Sequence, residues 1–322
     1  MKLKKDIFNI CILGMSSITS RSVIPVFSII PNKFNLKAIG SIRNQDKIPS
    51  SINCLNIYNS YKKAIEDKDI DAVYIALPNA FHYEWIKKAL KRNLHVICEK
   101  PFTCDYEQAK ELINIARNKN LVLMETFQFR FHKQFNFLNE FLSNKILGEL
   151  RSLKVSFCFP KLNDKNIRYS NSLGGGSLLD AGCYGTKLSH LLLGDNLRVE
   201  GAILNQSQKL DVDIWGSAFL FDYKKGVSSY INFGFDNFYQ CNFELLGKKG
   251  KLTTNRVFTA PIDYSPKMEL ETESGKQIIN INPDNQFLNM FLYFHKLIAT
   301  NNFNLLNKEY DEILINAKLI TS

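Results

Sequence analysis

The first part of the chain alternates short, nearly continuous apolar runs with stretches of helical period. Ile7 to Leu13, Leu36 to Ile42, Asp71 to Leu77, His95 to Glu99 and Leu121 to Glu125 are such runs. Continuous apolar runs of this length are the pattern of strands covered on both faces. Between them, Phe81 to Arg92 and Asp105 to Asn118 place apolar residues at helical spacing. Strand and helix in regular alternation predict an α/β fold with a doubly wound, Rossmann-type parallel sheet.

After Glu125 the pattern changes. Phe127, Phe129, Phe131, Phe135 and Phe137 crowd around Arg130 and His132. A long strand follows at Leu150–Phe159, then a helix at 178–193. Strand-like runs come next at Trp215–Asp222, Gly226–Phe235, Tyr239–Gly247 and Gly250–Thr254. Two Lys-Lys-Gly stretches, 223–226 and 247–250, read as hairpin turns between them. This predicts an α+β domain with a large, mostly antiparallel sheet. Helical spacing returns at Asn285–Thr300 and Glu309–Leu319. The expected division is 1–125 and 126–322.

Composition adds boundaries. At 322 residues with 45% hydrophobic content, the chain can bury a sizeable core, and no apolar run approaches a membrane span. The opening Met1-Lys2-Leu3-Lys4-Lys5 mimics a signal peptide, but Asp6 and Asn9 interrupt the apolar region, and a first buried strand is the better reading. Seven cysteines at 11, 54, 98, 104, 158, 183 and 241 form no Cys-x-x-Cys pair, a reduced and cytoplasmic pattern. The net charge of +10 is spread in short clusters such as Lys87/Lys88 and Lys248/Lys249/Lys251. That spread suits solubility first and an anionic ligand second, with nucleic acid well behind. No hydrolase elbow, phosphate loop or metal-ligand cluster is present, so no metal is expected.

Four stretches carry chemistry. The first strand runs into Gly14-Met15-Ser16-Ser17-Ile18-Thr19, a strand–glycine–helix arrangement suited to a dinucleotide pyrophosphate, though Ser16 and Thr19 stand where further glycines are usual. The second strand ends at Ser41 and Arg43 with no acid between Asp6 and Asp46, which suits a 2′-phosphate and favours NADP slightly over NAD. Leu77 ends the third strand with Asn79 and His82 just beyond it, and Glu99-Lys100-Pro101 ends the fourth. In such sheets ligands bind outside the carboxyl ends of the strands. The fourth stretch is Gly174-Gly175-Gly176…Asp180…Tyr184, where the acid and the phenol are four apart and share a helix face.

In this order and spacing, these stretches resemble the glucose–fructose oxidoreductase/inositol dehydrogenase/rhizopine catabolism (Gfo/Idh/MocA) family. The resemblance runs from the first strand to about Gln286. It also covers Arg21, Ile24-Pro25, Asp71-Ala72-Val73-Tyr74, Arg130-Phe131-His132 and Asn166-Ile167-Arg168. The subgroup of dihydrodiol and xylose dehydrogenases is the most similar. The resemblance implies a catalytic group of Lys100, Asp180 and Tyr184. It implies cofactor contacts from Gly14, Ser16, Ser17, Ile18, Ser41, Arg43, Leu77, Asn79, His82, Glu99 and Lys100, and substrate contacts from Arg130, His132 and Arg168. The implied reaction is NAD(P)-dependent hydride transfer at a secondary hydroxyl or carbonyl of a sugar, sugar derivative or nucleotide sugar. The alternative is a non-catalytic dinucleotide-binding sugar sensor on the same fold. No nucleic-acid or membrane partner is expected. A homodimer or homotetramer is expected through the sheet at 215–255, with Phe219, Phe221, Phe233 and Phe235 as its apolar residues.

Overall fold

The computed structural model describes residues 5–43, 48–49, 52, 56–207 and 209–322, so Lys2, Lys4, Asp46 and Cys54 lie outside the described residues. The chain forms two compact units. The first reaches from the N-terminal part to Thr126 and adds Phe287–Ala317; the second is Phe127–Gln286 with Lys318–Ser322.

The first unit holds a six-stranded parallel sheet of β1 (Phe8–Leu13), β2 (Phe34–Gly40), β3 (Asn56–Tyr58), β4 (Ala72–Ile75), β5 (His95–Glu99) and β6 (Leu123–Thr126). Its order is β3-β2-β1-β4-β5-β6. The order reverses between β1 and β4, and the crevice at their carboxyl ends is where such sheets take ligands. Helices α1 (Ile24–Ile29), α2 (Tyr61–Glu66), α3 (His82–Lys91) and α4 (Tyr106–Lys119) connect the strands. Helix α4 shows why these segments are helical. Asp105 caps its start by accepting the Gln108 N–H at 2.9 Å. Ala109, Leu112, Ile113 and Ala116 form its buried stripe, and Asn120 ends it in the left-handed conformation.

The second unit holds α5 (Lys133–Ser143), β7 (Leu150–Cys158), α6 (Cys183–Leu193), β8 (Arg198–Gln206), β9 (Asp213–Asp222), β10 (Val227–Gly234), β11 (Gln240–Gly247), β12 (Gly250–Asn255), β13 (Lys267–Thr272) and β14 (Gly275–Asn280). The eight strands lie in the order β14-β13-β12-β11-β7-β10-β9-β8. Only β7 and β10 pair parallel; the other neighbours are antiparallel. Helix α6 packs against β7 and β10. Val227, Ile231 and Phe233 point to that covered face, and Phe219 and Tyr230 pair on the opposite one, ring centroids 4.9 Å apart.

Two expectations need correction. The expected division puts the helices α7 (Gln286–Thr300) and α8 (Phe303–Thr321) in the second domain, yet their residues 287–317 belong to the first unit. The reason is aromatic packing. Phe291 meets Phe27 at 5.0 Å and Tyr74 at 5.8 Å, and Phe294 stacks on Phe34 at 5.9 Å. The Tyr310 hydroxyl donates to the Leu121 carbonyl at 2.6 Å. An apolar helical period does not say which sheet it covers. The second correction concerns Phe233 and Phe235. They are fully buried on the covered side, so of the four named phenylalanines only Phe219 and Phe221 can face an open sheet surface.

Candidate active site

Lys100 and the small-residue turns lie at the carboxyl ends of the parallel strands. Gly14 ends β1 with φ +94°, and a Cβ there would lie 2.6 Å from the Ala76 carbonyl oxygen, so β1 and β4 close together only over glycine. Ser16 serves the helix start beyond it: its hydroxyl oxygen accepts the Thr19 N–H at 3.1 Å and pairs with the Thr19 hydroxyl at 2.8 Å. Ser17 is exposed and Ile18 half-buried beside it. At the end of β2, the buried Ser41 hydroxyl donates to the Arg43 carbonyl, while the Arg43 side chain is exposed. The site's crevice end therefore offers a small-residue turn and an exposed guanidinium, donors that fit a dinucleotide phosphate.

The Glu99–Phe102 turn carries Lys100, and the Lys100–Pro101 peptide is cis. Three buried side chains hold this turn. Tyr74 on β4 donates to Glu99 Oε1 at 2.6 Å. His82 at the start of α3 lies 2.8 Å from the Pro101 carbonyl oxygen through Nδ1. Glu125 on β6 accepts the Phe102 N–H at 2.8 Å. Burial pushes the Glu99 carboxyl up, against the pull of Tyr74 and Lys100. Burial, first, and the Lys100 charge draw the His82 imidazole below its ordinary pKa, while two carbonyls oppose them. His82 was expected at the cofactor. Its ring is wholly buried and both nitrogens face backbone carbonyls, Pro101 and Leu77, so any effect on the cofactor passes through those turns.

The Asp180–Tyr184 group lies in the second unit. A π-helical turn, Leu178–Gly182, leads into α6 and puts Asp180 and Tyr184 one turn apart. Asp213 at the start of β9 holds the beginning of this turn. Its Oδ2 accepts the Ser177 hydroxyl at 2.6 Å and the Leu178 N–H at 2.7 Å. Gly176 has φ +108°, and a Cβ there would overlap the Asp213 carboxylate. Asp180 Oδ2 accepts from Arg168 Nε at 2.7 Å, and the same arginine's backbone carbonyl accepts the Gly176 N–H at 2.9 Å. The Asp180 charge holds the Arg168 pKa further up. Arg168, expected at the substrate, is thus the partner of Asp180.

Tyr184 sits in an aromatic cage of Phe127, Phe157 and Phe258, with ring centroids 5.0–5.3 Å away, and Gln128 Nε2 lies 3.5 Å from its hydroxyl. Lys187, one turn further along α6, is fully buried with its ammonium 5.7 Å from the Phe127 ring centroid. His132 is also buried. Its Nδ1 accepts the Gln134 N–H at 3.1 Å and so caps α5, which is a structural use of a residue expected to touch substrate. The Arg130 guanidinium lies over the Phe131 ring at 5.0 Å. Asp213, Gln128 and Tyr74 were not singled out as site residues. A lone Asp, Gln or Tyr within a strand or loop gives no periodic signal of its partner. Among the described residues no group of histidine, cysteine and carboxylate side chains could hold a metal.

The comparisons with known proteins follow the two units. The description "Oxidoreductase family, NAD-binding Rossmann fold" (GFO_IDH_MocA) matches residues 8–127, and the GFO/IDH/MocA C-terminal domain matches 135–253. A dTDP-3,4-didehydro-2,6-dideoxy-alpha-D-glucose 3-reductase of Actinomadura kijaniata is 37% identical over 240 residues, 74% of this chain and 72% of the relative. The D-xylose 1-dehydrogenase (NADP(+)) 2 of Haloferax volcanii is 29% identical over 83% of this chain and 81% of its own length. A solved 3-ketoreductase from Actinomadura kijaniata, in complex with NADP and TDP-benzene, superposes with a TM-score of 0.92 at 32% identity, covering 98% of this chain and 96% of that one.

Proposed function

The chain belongs to the Gfo/Idh/MocA family of oxidoreductases, and from that premise we propose that it reduces a keto group on a nucleotide-linked deoxysugar with NADPH. It is an NAD(P)-dependent oxidoreductase acting on a sugar or sugar derivative. The named reductase relatives set aside the non-catalytic alternative. The observation that carries the reading is the Asp180–Tyr184 pair, fixed on one helix face by Arg168 and Asp213, in a chain that also keeps Lys100 at the end of β5.

A bound nicotinamide dinucleotide supplies or takes the hydride. Tyr184 moves the proton at the substrate oxygen. Lys100 stabilises the negative charge that develops there. Asp180, oriented by Arg168, keeps the tyrosine face polar and in register. Lys100 and Glu99 contact the cofactor, as do Gly14, Ser16, Ser17, Ile18, Leu77 and Asn79. The exposed Arg43 takes a 2′-phosphate, which supports NADP over NAD, and relatives that use NADP support the same choice. Arg130 reaches the substrate from the second unit.

The enzyme works as a homo-oligomer through the open face of the eight-stranded sheet, supported by exposed Trp215 and Tyr230 beside Phe219. It is cytoplasmic, supported by six described cysteines that form no disulfide among the described residues. No helix among the described residues is long and apolar enough to cross a membrane.

One panel tests the function: dTDP-linked keto-deoxysugars and free sugars, each with NADPH and NADH (free sugars also with the oxidised cofactors), read at the reduced-nicotinamide absorbance. The expected result is turnover of a dTDP-linked ketone with NADPH, and Arg43→Ala raising the NADPH KM about tenfold with little change for NADH. Turnover of free sugars alone would make the protein a free-sugar dehydrogenase. Light scattering of the same preparation reads the oligomer, and a strict monomer at micromolar concentration ends that part of the reading.

A further inference from the structure

Three buried glutamines of the second unit hold the loop that follows β12. Gln134 Nε2 donates to the Arg256 and Val257 carbonyls at 3.4 and 3.2 Å, and Gln286 Nε2 donates to the Ala260 carbonyl at 3.1 Å. Between them, Gln128 Nε2 donates to the Phe258 carbonyl at 3.3 Å. Gln128 differs from the other two in what else its amide meets, because the Tyr184 hydroxyl lies 3.5 Å from the same nitrogen. A carbonyl only accepts, so the Phe258 carbonyl fixes which end of the amide faces Tyr184. That end carries two N–H bonds, one for the carbonyl and one for the phenol oxygen. Tyr184 accepts there, and its own hydrogen is left for another oxygen. The rings packed against the phenol, Phe127, Phe129, Phe157 and Phe258, offer it no N–H or O–H.

We infer that Gln128 is a positioning residue for the proton transfer: its amide N–H leaves the Tyr184 hydrogen for the substrate oxygen and holds the phenolate that the transfer produces. The inference rests on the reading of Tyr184 as the proton donor. In ketone reduction the Tyr184 O–H bond breaks, the O–H bond of the product alcohol forms, and the phenol oxygen keeps the electron pair. A contact of 3.5 Å is weak while the phenol is neutral. A hydrogen bond to an anion is shorter and about twice as strong, so the contact tightens as the proton leaves. An interaction that strengthens along the reaction lowers the barrier. The charges that bear on the phenol are Asp180, Arg168 and Lys187 in the second unit, with Lys100 added in the reaction as read.

The experiment compares Gln128→Met with Gln134→Met. Methionine keeps the length of the side chain and removes its N–H groups. Both variants free carbonyls of the same loop, and only the first also frees Tyr184. Reduction of the dTDP-linked ketone needs Tyr184 protonated, so kcat falls at high pH along a limb set by the phenol. Loss of a donor to the phenolate weakens the acid and moves that limb to higher pH. Gln128→Met is expected to lower kcat below the limb about tenfold and to move the limb up by about one pH unit, with NADPH Kd within about twofold of wild type. Gln134→Met is expected to loosen the loop and leave the limb where wild type has it. An unchanged kcat or an unmoved limb in Gln128→Met, or an equal shift in Gln134→Met, overturns the inference.

Tyr184→Phe runs alongside. If it keeps turnover, the reading of Tyr184 as the donor fails, and the inference with it. If Tyr184→Phe is dead and Gln128→Met keeps both rate and limb, only the present inference fails. Should Gln128→Met not fold, wild-type protein labelled with 13C at glutamine Cδ and tyrosine Cζ gives the readout. The Gln128 amide carbon is then expected to shift with the same midpoint as Tyr184 Cζ, and an amide carbon that stays in place through that titration overturns the inference.

Discussion

Lys100 and Tyr184 are held in opposite ways, each within its own unit. Lys100 sits on a turn gripped from three neighbouring elements of one parallel sheet: Tyr74 from β4, His82 from α3 and Glu125 from β6. Tyr184 sits on a helix whose start is gripped by a distant strand, through Asp213, and by a loop, through Arg168. The first grip is a buried polar network that includes a phenol pushed up and an imidazole drawn down by burial. The second is a charged cap over a glycine that nothing larger can replace. A network of titrating side chains is sensitive to pH, whereas a steric cradle is sensitive to volume.

The largest expected effect breaks the second grip. Gly176→Ala puts a Cβ against the Asp213 carboxylate at φ +108°. We expect about 4 kcal/mol of lost stability in the second unit, about 2 from backbone strain and about 2 from the displaced cap. Turnover should fall at least tenfold while NADPH Kd stays within twofold. Chemical denaturation and fluorescence titration read the two quantities. An unchanged melting curve would mean that the Asp213 cap is not what holds Tyr184.

A smaller effect tests pH sensitivity in the same parallel sheet, away from the Lys100 turn. His95 Nδ1 accepts the Val122 N–H at 3.0 Å between β5 and β6, and burial draws its pKa down to about 4, with Asp71 opposing. A folded pKa below the unfolded value of about 6.5 means that the unfolded chain binds more protons between the two. Stability is therefore full above about pH 6.5 and falls as pH drops toward 4, by at most about 3 kcal/mol. Denaturant melts between pH 7 and 4 should show this loss in the first unit, and His95→Asn, which keeps an acceptor that does not titrate, should flatten it. A slope that persists in His95→Asn would move the titration elsewhere.

The same contrast explains what could be read from sequence. The parallel sheet was legible because each strand is a continuous apolar run ending in a chemical landmark, as β5 ends in Glu99 and Lys100. β3 was not, since Asn56–Tyr58 is three residues with two exposed. β8 carries no strand signal because Arg198–Gln206 is exposed on both faces and so shows no alternation. The short β13–β14 hairpin escaped for a similar reason, β14 being mostly exposed. Asp180 and Tyr184 could be picked from their spacing, but Arg168 as the acid's partner could not, because the pairing crosses twelve residues of loop through glycines. Asp213, thirty-six residues beyond Ser177, has no sequence signal at all. The helical period of α7 is legible but its unit is not, since its stripe of Met290, Phe291 and Phe294 would cover either sheet.

In the proposed reaction Lys100 and Tyr184 each act at the substrate oxygen. The most direct test is single-turnover hydride transfer with saturating NADPH in Lys100→Met and in Tyr184→Phe, with cofactor Kd measured on the same samples. Loss of a positioned acid–base group costs on the order of 10²–10⁴ in rate. The account predicts a fall of that size in each variant with NADPH Kd unchanged, and the phenyl ring of Tyr184→Phe still filling its cage of Phe127, Phe157 and Phe258. Near-wild-type transfer in either variant, or a loss that follows lost NADPH binding, would contradict it.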